Sequence, residues 1–129
     1  MRLAEDGITG DFNGTGPEMR MSMGQMLAEI GIGVPSAHSL TWVSEAFLEA
    51  QGVAPWSDLP AWIPGDPLMF VDVSASVDAG LTFRPLSDTA SDTLAWDKGR
   101  PAEARENRRF GMSREREREL LAAWHAEQG

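Results

Sequence analysis

The chain has 129 residues, of which 42% are hydrophobic and 24% are charged. This composition is typical of a globular protein, and the length allows a single domain, residues 1–129, with one modest core. No apolar run approaches the roughly 18 residues that span a bilayer, and the first residues lack the apolar segment of a secretory signal. Because cysteine is absent, disulfides and thiolate metal sites are excluded, which favours a cytoplasmic location.

The charge is negative overall but uneven along the chain. A net charge of −9 argues against general binding to nucleic acids or anionic membranes, because both would repel it. Residues 98–119 hold eight basic and five acidic side chains, a local charge of +3, so the remainder carries −12. An RNA-binding strip and a solvated helix face both fit this stretch. The interrupting acids favour the solvated face, and we predict a charged helical tail over residues 99–129.

The first third of the chain predicts two helices and a short strand. Arg2 to Asp6 has the pattern of a final helical turn closed by a glycine, which suggests further sequence upstream. A short strand is expected at residues 11–13. Ser22 and Gln25 have the spacing of a capping box, which predicts a helix through about Ile30.

A short strand and a short helix are expected next. Residues 40–43, Leu-Thr-Trp-Val, alternate enough between apolar and polar side chains to predict a short strand. Ser44 is a good N-cap for the following helix, which carries Phe47 and Leu48. Gly52 is its expected end.

The segment 53–67 contains four prolines and two tryptophans. Each proline fixes φ and removes a donor, so we expect an ordered loop held by Trp56 and Trp62 rather than a regular element. Aromatic side chains in a stiff loop can form the wall of a small-molecule pocket. Covering the core of a small domain is the alternative. Trp56 and Trp62 are therefore candidate substrate-binding residues.

The last part of the chain predicts two more extended pieces and three helices. The extended pieces are residues 69–73 and 81–84, and a short helix over 74–79 lies between them. Ser87 is expected to cap the next helix. The final helix is expected to start at Ser113, and its alternating Arg and Glu place opposite charges at i,i+3. Short strands and helices in this order predict an α+β (partial α/β) fold, a small mixed domain.

No motif in the chain carries chemistry by itself. The early glycines, at positions 7, 10, 14 and 16, match neither the dinucleotide fingerprint nor a P-loop. His38 and His125 lack a second ligand at helical spacing, so no metal site is predicted. No nucleophile elbow occurs. We therefore assign no catalytic, cofactor-binding or metal residue.

The run from Asp72 to Trp96 includes the segment Ala79-Gly-Leu-Thr-Phe-Arg-Pro-Leu86 and ends in Leu-Ala-Trp. It resembles the carboxyl-terminal end of the extended short-chain dehydrogenase/reductase family, the NAD-dependent epimerase/dehydratase type. In that family an Ala-Gly-Leu-x-Phe-Arg-Pro-Leu segment leads into a helix ending in Leu-Ala-Trp. The loop Asn13-Gly-Thr-Gly-Pro17 is also similar to the family, so the likeness covers nearly the whole chain.

This resemblance implies NAD(P)-dependent hydride chemistry on a small-molecule substrate in the complete enzyme. That chemistry needs a Tyr-x-x-x-Lys pair and a glycine-rich dinucleotide loop, whereas this chain has no tyrosine and one lysine, Lys98. The chain is therefore expected to be the substrate-side, carboxyl-terminal portion of a Rossmann-type enzyme, binding no cofactor and inactive alone. In the family this region lines the substrate cleft, which makes Arg84 a candidate contact for an anionic group. A structural ion pair is the favoured alternative for Arg84.

Two other functions fit the same sequence. The chain could be a non-catalytic module that associates with the missing Rossmann half or with itself, because unpaired strands and uncovered apolar faces promote association. It could also be a truncated reading frame with no separate function.

Overall fold

The computed structural model describes residues 2–65, 71–106 and 110–129. Within these ranges the chain forms seven α-helices, in the order α1 (Arg2–Glu5), α2 (Met23–Gly33), α3 (Glu45–Ala50), α4 (Ser74–Asp78), α5 (Leu86–Lys98), α6 (Ala102–Glu106) and α7 (Arg114–Gln128). None of the helices in the described ranges has the length and apolar character needed to cross a bilayer.

Serine side chains start three of these helices, as the sequence predicts. Ser22 Oγ accepts from the Gln25 amide at 3.2 Å while Gln25 Oε1 accepts from the Ser22 amide at 2.8 Å, which completes the capping box. The Oγ atoms of Ser44 and Ser113 each accept from the amide three residues later at 3.1 Å. These bonds satisfy amides that have no partner within the helix.

One compact unit consists of the described residues of Met1–Ser36 and Pro67–Gly99, and in it α2 packs against α5. The helix α2 extends to Gly33, beyond the predicted end near Ile30. Gly33 lies directly against the backbone of Ser87 in α5. The contact with α5 therefore stabilises the last turn of α2, although the glycines in that turn by themselves favour the end of a helix.

The second compact unit consists of the described residues of Ala37–Asp66 and Arg100–Gly129. Its buried core contains Phe47, Leu48, Val53 and Leu120. The rings of Phe47 and Trp124 meet edge to face, with centroids 5.0 Å apart. This core joins α3 to the second half of α7, so residues more than seventy positions apart hold the unit together.

The first half of α7 is a solvated, charged surface. Arg116 pairs with Glu119 and Arg118 with Glu115, each at 3.3 Å and at the predicted i,i+3 spacing. Exposed pairs of this kind stabilise a helix by only about 0.5 kcal/mol each. Their main effect is to keep this face of α7 polar.

The predicted α+β (partial α/β) fold, a small mixed domain within a Rossmann-type architecture, is wrong. The described ranges are helical and contain no β-sheet; their one bridge is isolated, between Pro55 and Leu59. Residues 11–13, 40–43 and 81–84 form no strand. A strand needs a neighbour to take its backbone hydrogen bonds, and none of these segments has one.

Two further predictions differ from the structure in detail. The helix α5 begins at Leu86 after Pro85, and no side chain caps it, so Ser87 lies inside the helix instead of capping it. Of the strand predicted over residues 69–73, Met69 and Phe70 lie outside the described residues, and residues 71–73 are not a strand.

Candidate functional site

One face of α5 forms an open groove of 330 Å³ in the first compact unit. Thr89, Asp92, Thr93 and Trp96 line it, and Arg84 reaches it from the segment before the helix. The four helical positions follow i, i+3, i+4 and i+7, the spacing that places side chains on one face. We call this surface the α5 groove. It combines a cation, a carboxylate, two hydroxyls and an indole.

Arg84 and Asp92 form the charged pair of the α5 groove. Arg84 Nη2 donates to Asp92 Oδ2 at 2.6 Å, and their side chains are 54% and 72% exposed. A pair this exposed stabilises the fold little, on the order of 0.5 kcal/mol. Arg84 is thus held by an ion pair, the favoured alternative, yet its guanidinium remains open to solvent. Its role as a contact for a substrate stays a prediction.

The other lining residues differ in what they can bind. Thr93 Oγ1 donates to the Thr89 carbonyl within the helix at 2.7 Å, so its oxygen is left as an acceptor. Trp96 is 65% exposed. A tryptophan exposed beside polar groups presents a flat apolar face to a ligand.

The two tryptophans predicted to contact substrate lie in the second unit and differ from each other. Trp62 packs against the buried core around Phe47, which fits the core-covering alternative. Trp56 is 57% exposed. Trp56 and Trp62 belong to the second unit, whereas Arg84 belongs to the first.

Trp56 has an unusual backbone conformation. Its φ is +64°, and that of Ala61 in the same loop is +66°. The left-handed region costs a residue with a Cβ about 1–2 kcal/mol, so the loop is strained at both positions. Strain of this kind often accompanies binding loops, which keeps Trp56 a candidate for ligand contact.

A hydrogen-bond network joins the early loop to α4. Asn13 Nδ2 donates to the Asp72 carbonyl at 2.8 Å, and the buried Ser76 Oγ donates to the Asn13 carbonyl at 2.7 Å. The Ser74 amide donates to Asp72 Oδ1 at 3.0 Å. Hydrogen bonds from the backbone and side chain of Ser74 lower the pKa of the Asp72 carboxyl below its ordinary value. The network is structural, since it uses these polar groups to fasten two segments.

No three His, Asp or Glu side chains in the described ranges come close enough to share a metal ion. The chain has no tyrosine for proton transfer beside a hydride donor and no cysteine nucleophile. The side chains of the α5 groove can contact an anion, hydroxyl groups and a flat ring.

Sequence reasoning missed most of the α5 groove. Arg84 is the one lining residue that the sequence predicts as a site residue, and Thr89, Asp92 and Thr93 are not among the predicted candidates. The structure leaves Thr93 exposed, whereas Leu86, Ala90 and Leu94 are partly buried. The i, i+3, i+4, i+7 spacing of hydroxyl, carboxylate and indole side chains was the signal in the sequence that could have found this face.

Comparison with protein-family models, with curated proteins and with solved structures found no match to this chain.

Proposed function

We propose that the chain is the substrate-binding, carboxyl-terminal portion of an NAD(P)-dependent epimerase, dehydratase or reductase of the extended short-chain dehydrogenase/reductase family. A separate dinucleotide-binding part supplies the NAD(P) site and the tyrosine, lysine and serine of the reaction. The small-molecule substrate contacts both parts. A cytoplasmic location belongs to the same proposal, and the lack of cysteine is compatible with it.

One observation supports this proposal above the others. Arg84 belongs to the segment Ala79–Leu86, and Trp96 ends the run Leu-Ala-Trp, the two pieces of sequence that carry the family resemblance. Both residues line the α5 groove, Arg84 from the segment before the helix and Trp96 from the helix itself. The resemblance and the geometry therefore point to the same surface.

In this proposal the chain binds the substrate, and the separate dinucleotide-binding part carries out the hydride transfer. A hydride transfer to or from a carbinol carbon needs a nearby acid or base for the hydroxyl proton, and the family uses a tyrosine paired with a lysine. A chain without tyrosine cannot supply that group. Its contribution is to bind and orient the substrate, which supports the rate by fixing the reacting geometry.

The DNA that precedes the codon for Met1 tests this function. We expect it to encode a glycine-rich loop and a Tyr-x-x-x-Lys pair, in frame or one frameshift away. If neither is encoded there, the interaction module described below becomes the better proposal. The purified chain is expected to show no change in NADH or NADPH absorbance with any carbonyl substrate, and turnover by the chain alone would overturn the proposed division of work.

A non-catalytic interaction module is the second candidate function. Large apolar side chains are exposed in the described ranges, among them Met19, Ile32, Trp42 and Phe110. Exposed apolar groups in such number favour contact with another chain, either the dinucleotide-binding part or a second copy. Light scattering over a range of concentrations tests self-association, and native mass spectrometry tests binding to the other part. A monomer that binds neither would exclude this candidate.

A further inference from the structure

We propose that four methionines around the start of α2 form a thioether site for a soft monovalent metal ion, Cu(I). They are Met19, Met21, Met23 and Met26, with the spacing Met-x-Met-x-Met-x-x-Met. Thioethers are soft ligands and select Cu(I) over the harder ions that carboxylates bind. None of the four lines the α5 groove, so this metal site does not depend on the substrate-binding role proposed for that groove.

Packing within the fold accounts for only two of these methionines. Met23 and Met26 are partly buried and share the apolar face of α2 with Leu27. Met19 and Met21 precede the helix and are 78% and 37% exposed. An exposed apolar side chain gains little from burial, whereas its exposure leaves the thioether open to a metal ion. The two exposed methionines therefore fit a binding role better than a packing role.

The backbone places three of the methionines on one side of the chain. Ser22, between Met21 and Met23, has φ −72° and ψ 160°. Residues two apart in extended backbone point to the same side. Met23 and Met26 are three apart in α2, which puts them on one face of the helix. Met19 lies two residues before Met21, and the three rotatable bonds of its side chain allow it to complete the set.

The capping box of α2 fixes the backbone at this site. Ser22 and Gln25 exchange two hydrogen bonds between side chain and backbone, at 3.2 and 2.8 Å. Ser22 lies between Met21 and Met23, and Gln25 directly precedes Met26, so these bonds hold the backbone that carries the three methionines. A metal ion then orders side chains and not the backbone, which reduces the entropic cost of binding.

Charge and the available donors favour a soft monovalent ion. The sequence of the first unit contains ten acidic and four basic residues, a net charge of −6, which attracts cations. The chain has no cysteine, and both histidines, His38 and His125, belong to the second unit, so methionines are the soft donors of the first unit. The partial positive charge at the amino-terminal end of α2 disfavours a divalent ion more than a monovalent one.

The experiment follows the methionine methyl signals of the full chain by carbon-13 NMR while Ag⁺ is added. This ion is soft and monovalent like Cu(I), and it does not change oxidation state in air. We expect the signals of Met19, Met21, Met23 and Met26 to shift and to saturate at about one equivalent. The signal of Met112, which packs against the core of the second unit, is expected to stay unchanged. Zn²⁺, which prefers nitrogen, oxygen and thiolate ligands, is expected to shift none of them.

Leucine substitutions test the role of the sulfur atoms, because leucine and methionine have similar volumes and exchange at little cost to stability. The affinity for Cu(I) is measured under nitrogen by competition with a chelator whose absorbance reports the copper that it still holds. Met21→Leu is expected to weaken binding about tenfold, and Met19→Leu combined with Met21→Leu to weaken it about a hundredfold. Met112→Leu is the control and is expected to leave the affinity unchanged.

Three results would overturn the site: no saturable shift of the four methyl signals with Ag⁺, an equal shift of the Met112 signal, or a double leucine variant that binds Cu(I) as tightly as the unaltered chain. Far-UV circular dichroism verifies the fold of each variant. If the double variant does not fold, the methyl shifts of the unaltered chain decide the question, since they require no substitution.

Discussion

Gly33, the last residue of α2, lies against the backbone carbonyl of Ser87 in α5. A Cβ atom on Gly33 would fall 2.0 Å from that oxygen and 3.1 Å from the Cβ of Ala90. The first distance is far inside van der Waals contact, so only a residue without a side chain allows this approach. The contact sets how closely the two helices of the first unit can pack.

Gly33→Ala is expected to destabilise the protein although alanine is the better helix former. The intrinsic preference of a helix favours alanine by about 1 kcal/mol, but overlap with a backbone carbonyl forces the helices apart, and overpacking costs about 1–3 kcal/mol. The difference is a net loss of up to about 2 kcal/mol in the free energy of unfolding, measured by urea denaturation.

Gly14→Ala is the control for that substitution, because a Cβ there meets nothing within 4 Å. It is expected to change stability by less than about 1 kcal/mol. If Gly33→Ala were as stable as Gly14→Ala, the close contact between Gly33 and Ser87 would be refuted.

Ser76→Ala is expected to lower stability by about 1–2 kcal/mol. Ser76 is 4% exposed, and its hydroxyl bonds the Asn13 carbonyl 63 residues earlier. Its removal leaves that carbonyl without this partner. Ser91→Ala on the exposed face of α5 is the control, where better helix propensity should give no loss. Thermal unfolding of both variants measures the difference, and similar melting temperatures would contradict the role of Ser76.

Local signals in the sequence predicted the starts of three helices. Ser22, Ser44 and Ser113 cap helices through bonds that span three residues, so the information lies within one turn. The strands could not be predicted in this way. Residues 11–13 and 40–43 have acceptable side chains for strands, but pairing depends on a distant partner, and the described ranges provide none.

The candidate site was predictable only in part. Arg84 is a candidate through the family resemblance. Its bond to Asp92 spans the start of α5, whose N-cap is Pro85, two residues before the predicted cap Ser87. Trp62 shows the opposite difficulty: an aromatic residue in a proline-rich loop looks the same in sequence whether it lines a pocket or covers a core. Burial, which decides between the two, is a property of the whole unit.

The carboxyl of Asp72 makes the free energy of unfolding depend on pH in the acidic range. Hydrogen bonds from Ser74 lower the pKa of its carboxyl in the folded chain, so between the folded and unfolded pKa values the unfolded state binds more protons. The contribution of Asp72 is therefore complete above its unfolded pKa and is lost as the pH falls through the lowered folded pKa. Asp72→Asn is expected to reduce the slope of stability against pH in this acidic range. An NMR titration of the Asp72 carboxyl that shows no lowered pKa would contradict the assignment.

Arg116 and Arg118 of α7 test whether the contact between α7 and the end of α3 stabilises the second unit. Arg116 Nη2 donates to the carbonyl of Gln51, the C-cap of α3, at 2.7 Å, and its side chain is 42% exposed. Arg118 forms only an exposed pair with Glu115, at 73% exposure. A charged donor on a carbonyl that lacks a helical partner is worth about 1–2 kcal/mol here, after allowance for exposure, whereas an exposed pair is worth less than about 0.5 kcal/mol.

We therefore expect Arg116→Ala to destabilise the protein more than Arg118→Ala does, as measured by urea denaturation. The difference should persist in high salt, because screening weakens ion pairs more than a bond to a neutral carbonyl. Equal losses for the two variants, or a difference that disappears in salt, would show that Arg116 acts only through its pairing with Glu119.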